Sequence, residues 1–392
     1  MHIAYTADQE QLRTELRTYF AAMITDEARE AIAAEGHGGP VHRELRQKMG
    51  ADGWLGIGWP TEYGGQGRSV LEQYVFFDEA SRAGAPVPMI ALNTVGPTIM
   101  RFGTDEQKDR FLPGILAGEL DFAIGYTEPN AGTDLASLQT RAVLEDDEFI
   151  VNGNKVFTSG GDIADYIWLA ARTDQDATKH RGITIMLVDT KSEGFKVTPL
   201  PTMSGGSTTT TYYEDVHVPV ENVIGGINEG WKMITTQLNH ERVALAAMGG
   251  RTEELFQDVL EWAGTTTTRE GDRLIDIPWV RNNLARVHAR LEAVKLLNWR
   301  MAHAVHTEAL TPADASTAKV YGTETDIDVC RLMLDVVGHA GYLGASSPGT
   351  VLRGRLEFAY RSATVRTFGG GSNEVQREIM VWTALGLPRG KR

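Results

Sequence analysis

Three short stretches of the 392-residue chain carry residue types able to hold a ligand. The first runs Tyr126-Thr127-Glu128-Pro129-Asn130-Ala131-Gly132-Thr133-Asp134, directly after an apolar β run. A strand that opens into such a Pro/Asn/Gly loop presents backbone amides and hydroxyls rather than charge. That surface suits a neutral, hydrogen-bonding heterocycle. The second is NGNKVFTSGG, from Asn152 to Gly161, where Phe157 is placed to wall a ring system and Ser159 to donate to a ring nitrogen. The third is TFGGGSNEVQR, from Thr367 to Arg377. Three glycines stop one helix, Ser372 or Asn373 caps the next, and the start of that helix offers free N–H groups to a ligand oxygen or phosphate. Each stretch taken singly also reads as ordinary loop or core.

Other chemistries are excluded by motif and composition. There is no Walker A loop, no G-x-G-x-x-G and no G-x-S-x-G nucleophile elbow. His240-Glu241 begins like the zinc helix H-E-x-x-H, but Ala244 stands where the second histidine belongs, so no metal site is expected. His217, His288, His303 and His306 are scattered, and the single Cys330 rules out a disulfide framework. With 38 basic and 52 acidic residues the formal charge is −14, a poor balance for binding nucleic acid or an anionic membrane. No run approaches the roughly 18 apolar residues of a membrane span, and the first residues lack a signal-peptide layout. The expectation is a soluble, cytoplasmic protein.

The elements that must position these stretches follow from periodicity. Residues 1–120 read as a helical domain, with Thr6 and Thr25 as N-caps and Leu12, Leu16, Tyr19, Phe20 and Met23 as one helical stripe. Residues 121–228 switch to β-branched and aromatic runs separated by turns, a mostly antiparallel, barrel-like β domain. Its runs are FAIGYTE, EFIVNGNKVFTS, YIWLAART, GITIMLVD, FKVTPL and TTTTYYEDVHVPV, and Asn152-Gly153 is expected as a hairpin turn because Asn-Gly readily takes positive φ. Residues 229–392 return to helical period and form a four-helix bundle, with Pro278 in the first turn of one helix. The fold class is α+β: helices, a β domain, then a bundle.

Together, the three stretches and this order of elements resemble the acyl-CoA dehydrogenase family of flavoproteins, over nearly the whole chain. Within the family, IGYTEPNAGTDLASLQT, ITTQLNHERVALA, LARVHARLEAVKLLNW and TFGGGSNEVQREI look most similar to the actinobacterial enzymes that oxidise CoA thioesters of steroid side chains. The resemblance implies FAD, with Tyr126, Thr127, Gly132 and Thr133 along the isoalloxazine and pyrophosphate. It places Phe157, Thr158 and Ser159 against the ring, where Trp is commoner than Phe, and adds Ser372 and Glu374 as further cofactor contacts. It implies dehydrogenation of an acyl-CoA substrate, with electrons passing to an electron-transfer flavoprotein.

The family removes the α-proton with a glutamate while the β-hydrogen leaves as hydride, a step that needs a positioned carboxylate and hydrogen bonds on the thioester carbonyl. Many members carry the glutamate just ahead of the C-terminal G-T/S motif, where this chain has Gly370. A minority place it on a helix after the β domain, in a Leu-x-x-Glu-Arg motif that matches Leu238-Asn239-His240-Glu241-Arg242. The resemblance therefore makes Glu241 the base and Arg242 its supporting residue. Gly370 serves through its backbone N–H, on the thioester carbonyl.

One departure points to a partner. Homotetrameric relatives share FAD between subunits through an Arg from R-x-x-F-G and a Gln from Q-x-x-G-G. Here the matching regions read Thr268-Arg269-Glu270-Gly271-Asp272-Arg273-Leu274 and Asp335-Val336-Val337-Gly338-His339. A carboxylate in place of the Gln would repel a pyrophosphate. The reading is an α2β2 heterotetramer whose related sister subunit donates the missing contacts; the alternative is a homotetramer in which Arg269 or Arg273 substitutes. Two other functions share the resemblance, a flavin monooxygenase and a non-catalytic subunit completing a partner's FAD site. Glu241 argues against the first, and Glu241 with the intact YTEPNAGTD loop against the second.

Overall fold

The computed structural model describes residues 4–36, 38–235 and 250–388. Helix α1 (Ala7–Met23) starts at Thr6, whose hydroxyl accepts from the Gln9 N–H while the Gln9 side chain accepts from the Thr6 N–H. This capping box satisfies two donors that a bare helix start leaves orphaned. Its stripe Leu12, Leu16, Phe20 and Met23 is buried. Helix α2 (Asp26–Glu35) is capped by Thr25, and α3 (Pro40–Ala51) follows. Helix α4 (Val70–Ala83) is the centre of the N-terminal layer, burying Tyr74, Val75, Phe76 and Phe77 in succession. A π-helical turn at Ala91–Val95 runs into α5 (Gly96–Phe102), then α6 (Asp105–Leu116). Gly96 is required there, since a Cβ would lie 2.2 Å from the Trp59 ring.

The middle of the chain is one eight-stranded sheet: β1 (Phe122–Gly125), β2 (Arg141–Glu145), β3 (Glu148–Lys155), β4 (Tyr166–Arg172), β5 (Ile183–Asp189), β6 (Phe195–Pro201), β7 (Ser207–Pro219) and β8 (Val223–Ile224). The order is β6-β7-β3-β2-β4-β5-β8, with β1 added to β4; β1 and β2 run parallel to β4, and the other pairings are antiparallel. Alternation in β4 splits the strand between two cores. Ile167, Leu169 and Ala171 pack with Phe149, Val151, Tyr213 and Val216. Trp168 and Ala170 join the core of the N-terminal helices.

Two readings of this region change. Asn152-Gly153 is not a hairpin turn but lies inside β3, opposite a bulge of β7, which carries the extra residue. The Asn152 amide donates to the Asp215 carboxylate at 2.8 Å and its carbonyl oxygen accepts from the Asp215 N–H at 3.1 Å, so the side chain mends the ladder across the bulge. Gly153 is there for a close approach: a Cβ would stand 2.6 Å from Thr140 Oγ1. The β2–β3 turn is instead Asp146-Asp147, with Asp146 at φ 51°. Strand β2 was not among the expected runs; most of its side chains are exposed, so it lacks an apolar signature.

The C-terminal layer contains α7 (Gly250–Thr265), α8 (Pro278–His306), α9 (Pro312–Val337), α10 (Arg355–Ala363) and α11 (Asn373–Thr383). Pro278 opens α8 as expected. Leu255, Phe256, Val259, Val280, Leu284, Val287, Val329 and Met333 form the bundle core. The far end of α8 reaches the N-terminal helices, where Trp299 packs edge-on against Tyr5 and Tyr74.

Candidate active site

The end of β1 and the end of β3 are tied together, which assembles the first two sequence stretches into one surface. Val156 N–H donates to Thr127 O at 2.8 Å. Lys155, fully buried, donates to Tyr126 O at 3.1 Å and to Glu128 Oε1 at 2.8 Å. The same carboxylate accepts from the N–H groups of Gln139 at 2.6 Å and Thr140 at 2.8 Å. Burial pushes the Glu128 carboxyl up, but the Lys155 charge and these hydrogen bonds outweigh it and hold it below the usual range. Burial pulls the Lys155 ammonium down to about 8 against the attraction of Glu128. The Tyr126 hydroxyl accepts from Trp168 Nε1 at 2.9 Å. Gly132 and Thr133 then stand exposed beyond the Glu128–Ala131 bridge.

Phe157 is unusual in two ways. Its φ is +60°, and 61% of the side chain's surface is exposed. A left-handed aromatic is strained, and such strain clusters where a ligand is held. The neighbouring residue pins it: Thr158 N–H donates to Thr209 O at 2.9 Å, and Thr209 Oγ1 donates back to Thr158 O. Thr158 itself is buried with its hydroxyl 3.4 Å from that of Thr211. Of the expected trio it is the one turned inward, so it holds the strand while Phe157 and Ser159 face out. The Ser159 and Thr208 hydroxyls are 2.9 Å apart.

The third stretch forms a separate, well-tied group. Gly370 and Gly371 have φ of 69° and 91°, a conformation that needs glycine. Ser372 caps α11, its hydroxyl accepting from Val375 N–H at 3.5 Å, and Glu374 is exposed in the first turn. Among the described residues, a Cβ on Gly370 would meet nothing within 4 Å. The middle and C-terminal domains touch where Arg361 donates to Met203 O.

Glu241 and Arg242 lie outside the described residues. The described ends on either side of them are firmly seated. Residues 230–235 are helical, with Gly230 so close to β5 that a Cβ would be 2.8 Å from Ile183 O. Gly250 starts α7 against α4, 3.1 Å from Asp78 O by the same measure.

Sequence reasoning missed Lys155, Glu128, Lys319 and Gln376, and read Asn373 only as an alternative cap. Lys155 had one signal: it sits at an apolar-face position of β3, where a charge demands a buried partner. Lys319 acts on the glycine turn across 48 to 54 residues, a separation that no local pattern reveals.

These three regions coincide with the domains of a single family. The acyl-CoA dehydrogenase N-terminal domain matches residues 6–119, the middle domain residues 123–216 and the C-terminal domain residues 228–385. The chain belongs to the acyl-CoA dehydrogenase family, flavoprotein oxidoreductases for which FAD is the expected cofactor. Among its relatives, acyl-CoA dehydrogenase FadE26 of Mycobacterium tuberculosis is 53% identical over the whole of both chains. The Tcur3481-Tcur3483 steroid ACAD superposes with a TM-score of 0.94 at 54% identity, covering both chains completely. The ChsE4-ChsE5 complex from Mycobacterium tuberculosis gives a TM-score of 0.94 at 53% identity, also with full coverage. The exposed, strained Phe157 and the outward Ser159 and Thr133 fit a flavin ring. No described helix is long and apolar enough to cross a membrane.

Proposed function

We propose that the chain is the base-bearing subunit of a steroid side-chain acyl-CoA dehydrogenase, with Glu241 as base and FAD as hydride acceptor. The observation that supports the flavin site is the union of the β1 and β3 ends through Val156–Thr127 and Lys155–Tyr126, which brings the loop that begins at Tyr126 beside the segment that leads to Phe157 and Ser159. The steroid ester is supported by the 54% identity to the steroid ACAD.

The chemistry a bound FAD would supply is that of a hydride acceptor for the substrate β-hydrogen. The remaining work falls to the chain. Phe157 would wall the ring, Ser159 would donate to it, and Ser372 and Glu374 would hold the cofactor at the start of α11. The Gly370 N–H donates to the thioester carbonyl and stabilises the charge that develops as the α-proton leaves. The Glu241 carboxylate takes that proton, with Arg242 beside it. Gly370 carries no side chain that could act as base, which supports a base that approaches from elsewhere.

A related sister subunit is part of this reading, in an α2β2 assembly, with an electron-transfer flavoprotein as acceptor. The relative solved as a ChsE4-ChsE5 complex supports a two-chain assembly. The deciding experiment is anaerobic mixing of the flavin-loaded protein with a panel of CoA thioesters. Steroid side-chain esters are expected to bleach the flavin without oxygen. Bleaching only by straight-chain esters removes the steroid assignment, and bleaching by none removes the dehydrogenase.

A further inference from the structure

We propose that Lys319 is a positioning residue for the glycine turn, setting the direction of the Gly370 N–H and of the first turn of α11. The inference rests on the reading that this N–H takes the thioester carbonyl.

An ammonium has three donors, and Lys319 spends all three on one short stretch. Its Nζ donates to Thr367 O at 3.0 Å, to Gly371 O at 2.8 Å and to Asn373 Oδ1 at 2.6 Å. These acceptors lie before, within and after the Gly369–Gly371 run, so one side chain spans the turn. The neighbours on the same face of α9 complete the cradle, at the spacing that aligns residues along a helix. Ser316 donates to Gln376 Oε1 at 2.7 Å, and the Gln376 amide donates to Gly370 O at 3.0 Å. Thr323 and Glu324 each accept from the Asn373 amide at 3.1 Å.

Three successive glycines have the largest conformational freedom to lose, and no side chains with which to hold themselves. Here the carbonyls on both sides of the 369–370 peptide are fixed from α9. Among the described residues, the Gly370 N–H meets no acceptor of the chain itself. An N–H held in place yet left unpaired is suited to a ligand oxygen.

Burial pulls the Lys319 ammonium down to about 8, against the attraction of Glu374 on α11 and Glu324 on its own helix. Glu324 is shared with Arg377 of α11 at 2.6 Å. Loss of the proton removes the charge and one of the three donors, so the turn loosens on the alkaline side.

The test compares Lys319→Met and Lys319→Arg with the wild-type assembled protein. Hydrogen exchange is read first, on the amides of residues 367–377. Lys319→Met is expected to speed their exchange at least tenfold, with α7 and α8 unchanged. Its kcat is expected to fall about 10- to 100-fold with little change in KM, less than the roughly 10²–10³ of removing an oxyanion donor outright. Wild-type kcat should decline above about pH 8, and Lys319→Arg, which stays charged, should lose that decline while keeping most of the protection. Unchanged exchange in Lys319→Met, or an alkaline decline that persists in Lys319→Arg, overturns the role of Lys319. Faster exchange with kcat intact overturns instead the assignment of the Gly370 N–H to the carbonyl.

Discussion

Lys155 Nζ lies 2.8 Å from Glu128 Oε1 inside the sheet; Lys155 also holds Tyr126 O of the candidate flavin loop, and Glu128 the Gln139 and Thr140 N–H groups ahead of β2. The pair therefore does more than neutralise a buried charge. It ties the end of β1 to the end of β3 and to the chain that leads into β2. Lys155→Met leaves Glu128 buried and unpaired, a loss of about 3–5 kcal/mol for a broken internal pair. Urea unfolding should show that loss, and Lys155→Met combined with Glu128→Leu should recover part of it. Equal losses in the single and double variants refute the coupling.

The same pair predicts a pH dependence. The folded Glu128 pKa lies below its ordinary value, so the unfolded chain binds more protons in the interval between the two. Its stabilisation is complete above the ordinary carboxylate range and is lost as pH falls through the folded value. Thermal melts of wild type and Glu128→Gln should therefore converge in acid. A gap that stays constant down to the acid limit contradicts the linkage.

Phe157 is held at φ +60° with its ring exposed. Phe157→Gly relieves left-handed strain of about 1–2 kcal/mol, while glycine's added freedom costs about 0.5–1 kcal/mol. The apoprotein melting temperature should change little. FAD affinity, measured by titrating the apoprotein, should fall. Unaltered affinity would remove Phe157 from the ring wall.

Gly153 tolerates no side chain, because the neighbour met by its Cβ is Thr140, including its Cα at 2.7 Å. Gly153→Ala should cost about 1–3 kcal/mol as an overpacked site, measurable by denaturant unfolding. A hairpin-turn glycine exposed to solvent would show a much smaller loss.

Glu241→Gln keeps volume and polarity but cannot take a proton at neutral pH. Flavin reduction by substrate should drop about 10²–10⁴-fold, the usual loss for a general base, with flavin binding retained. Anaerobic stopped-flow bleaching is the measurement, and wild-type speed in Glu241→Gln disproves the assignment. Gly370→Glu in that background tests whether both positions share one approach to the α-carbon: any regained rate supports it, set against the strain of a side chain at φ 69°.

The assembly prediction is separate. Without R-x-x-F-G and the Gln of Q-x-x-G-G, the chain expressed alone should bind FAD weakly. Co-expressed with its related chain it should hold about one FAD per pair, because a partner that completes the site adds binding energy through mass action. Tightly held, stoichiometric FAD in the isolated chain refutes the heteromer.

The sequence by itself determined whatever is local or periodic. Thr6, Thr25 and Pro278 mark helix starts because capping and proline chemistry act within one turn. The β runs of the middle domain and the long helices of the bundle are written in side-chain period. The three candidate ligand-binding stretches are legible through a distinctive combined pattern. Tertiary structure alone decided which side chains hold those stretches in place. Asn152-Gly153 reads as a turn until β7 supplies Asp215 and Thr140 closes over the glycine. Thr158 and Ser159 are adjacent hydroxyls in the sequence, yet in the segment after β3 Thr158 is buried against β7 and Ser159 is exposed. Lys319 and Gly371 are 52 residues apart, and their hydrogen bond exists only because α9 and α11 pack together. The physical reason is the same in each case. Propensity and period act over a few residues, whereas a buried charge or a glycine turn takes its partner from whichever element the packed core brings alongside.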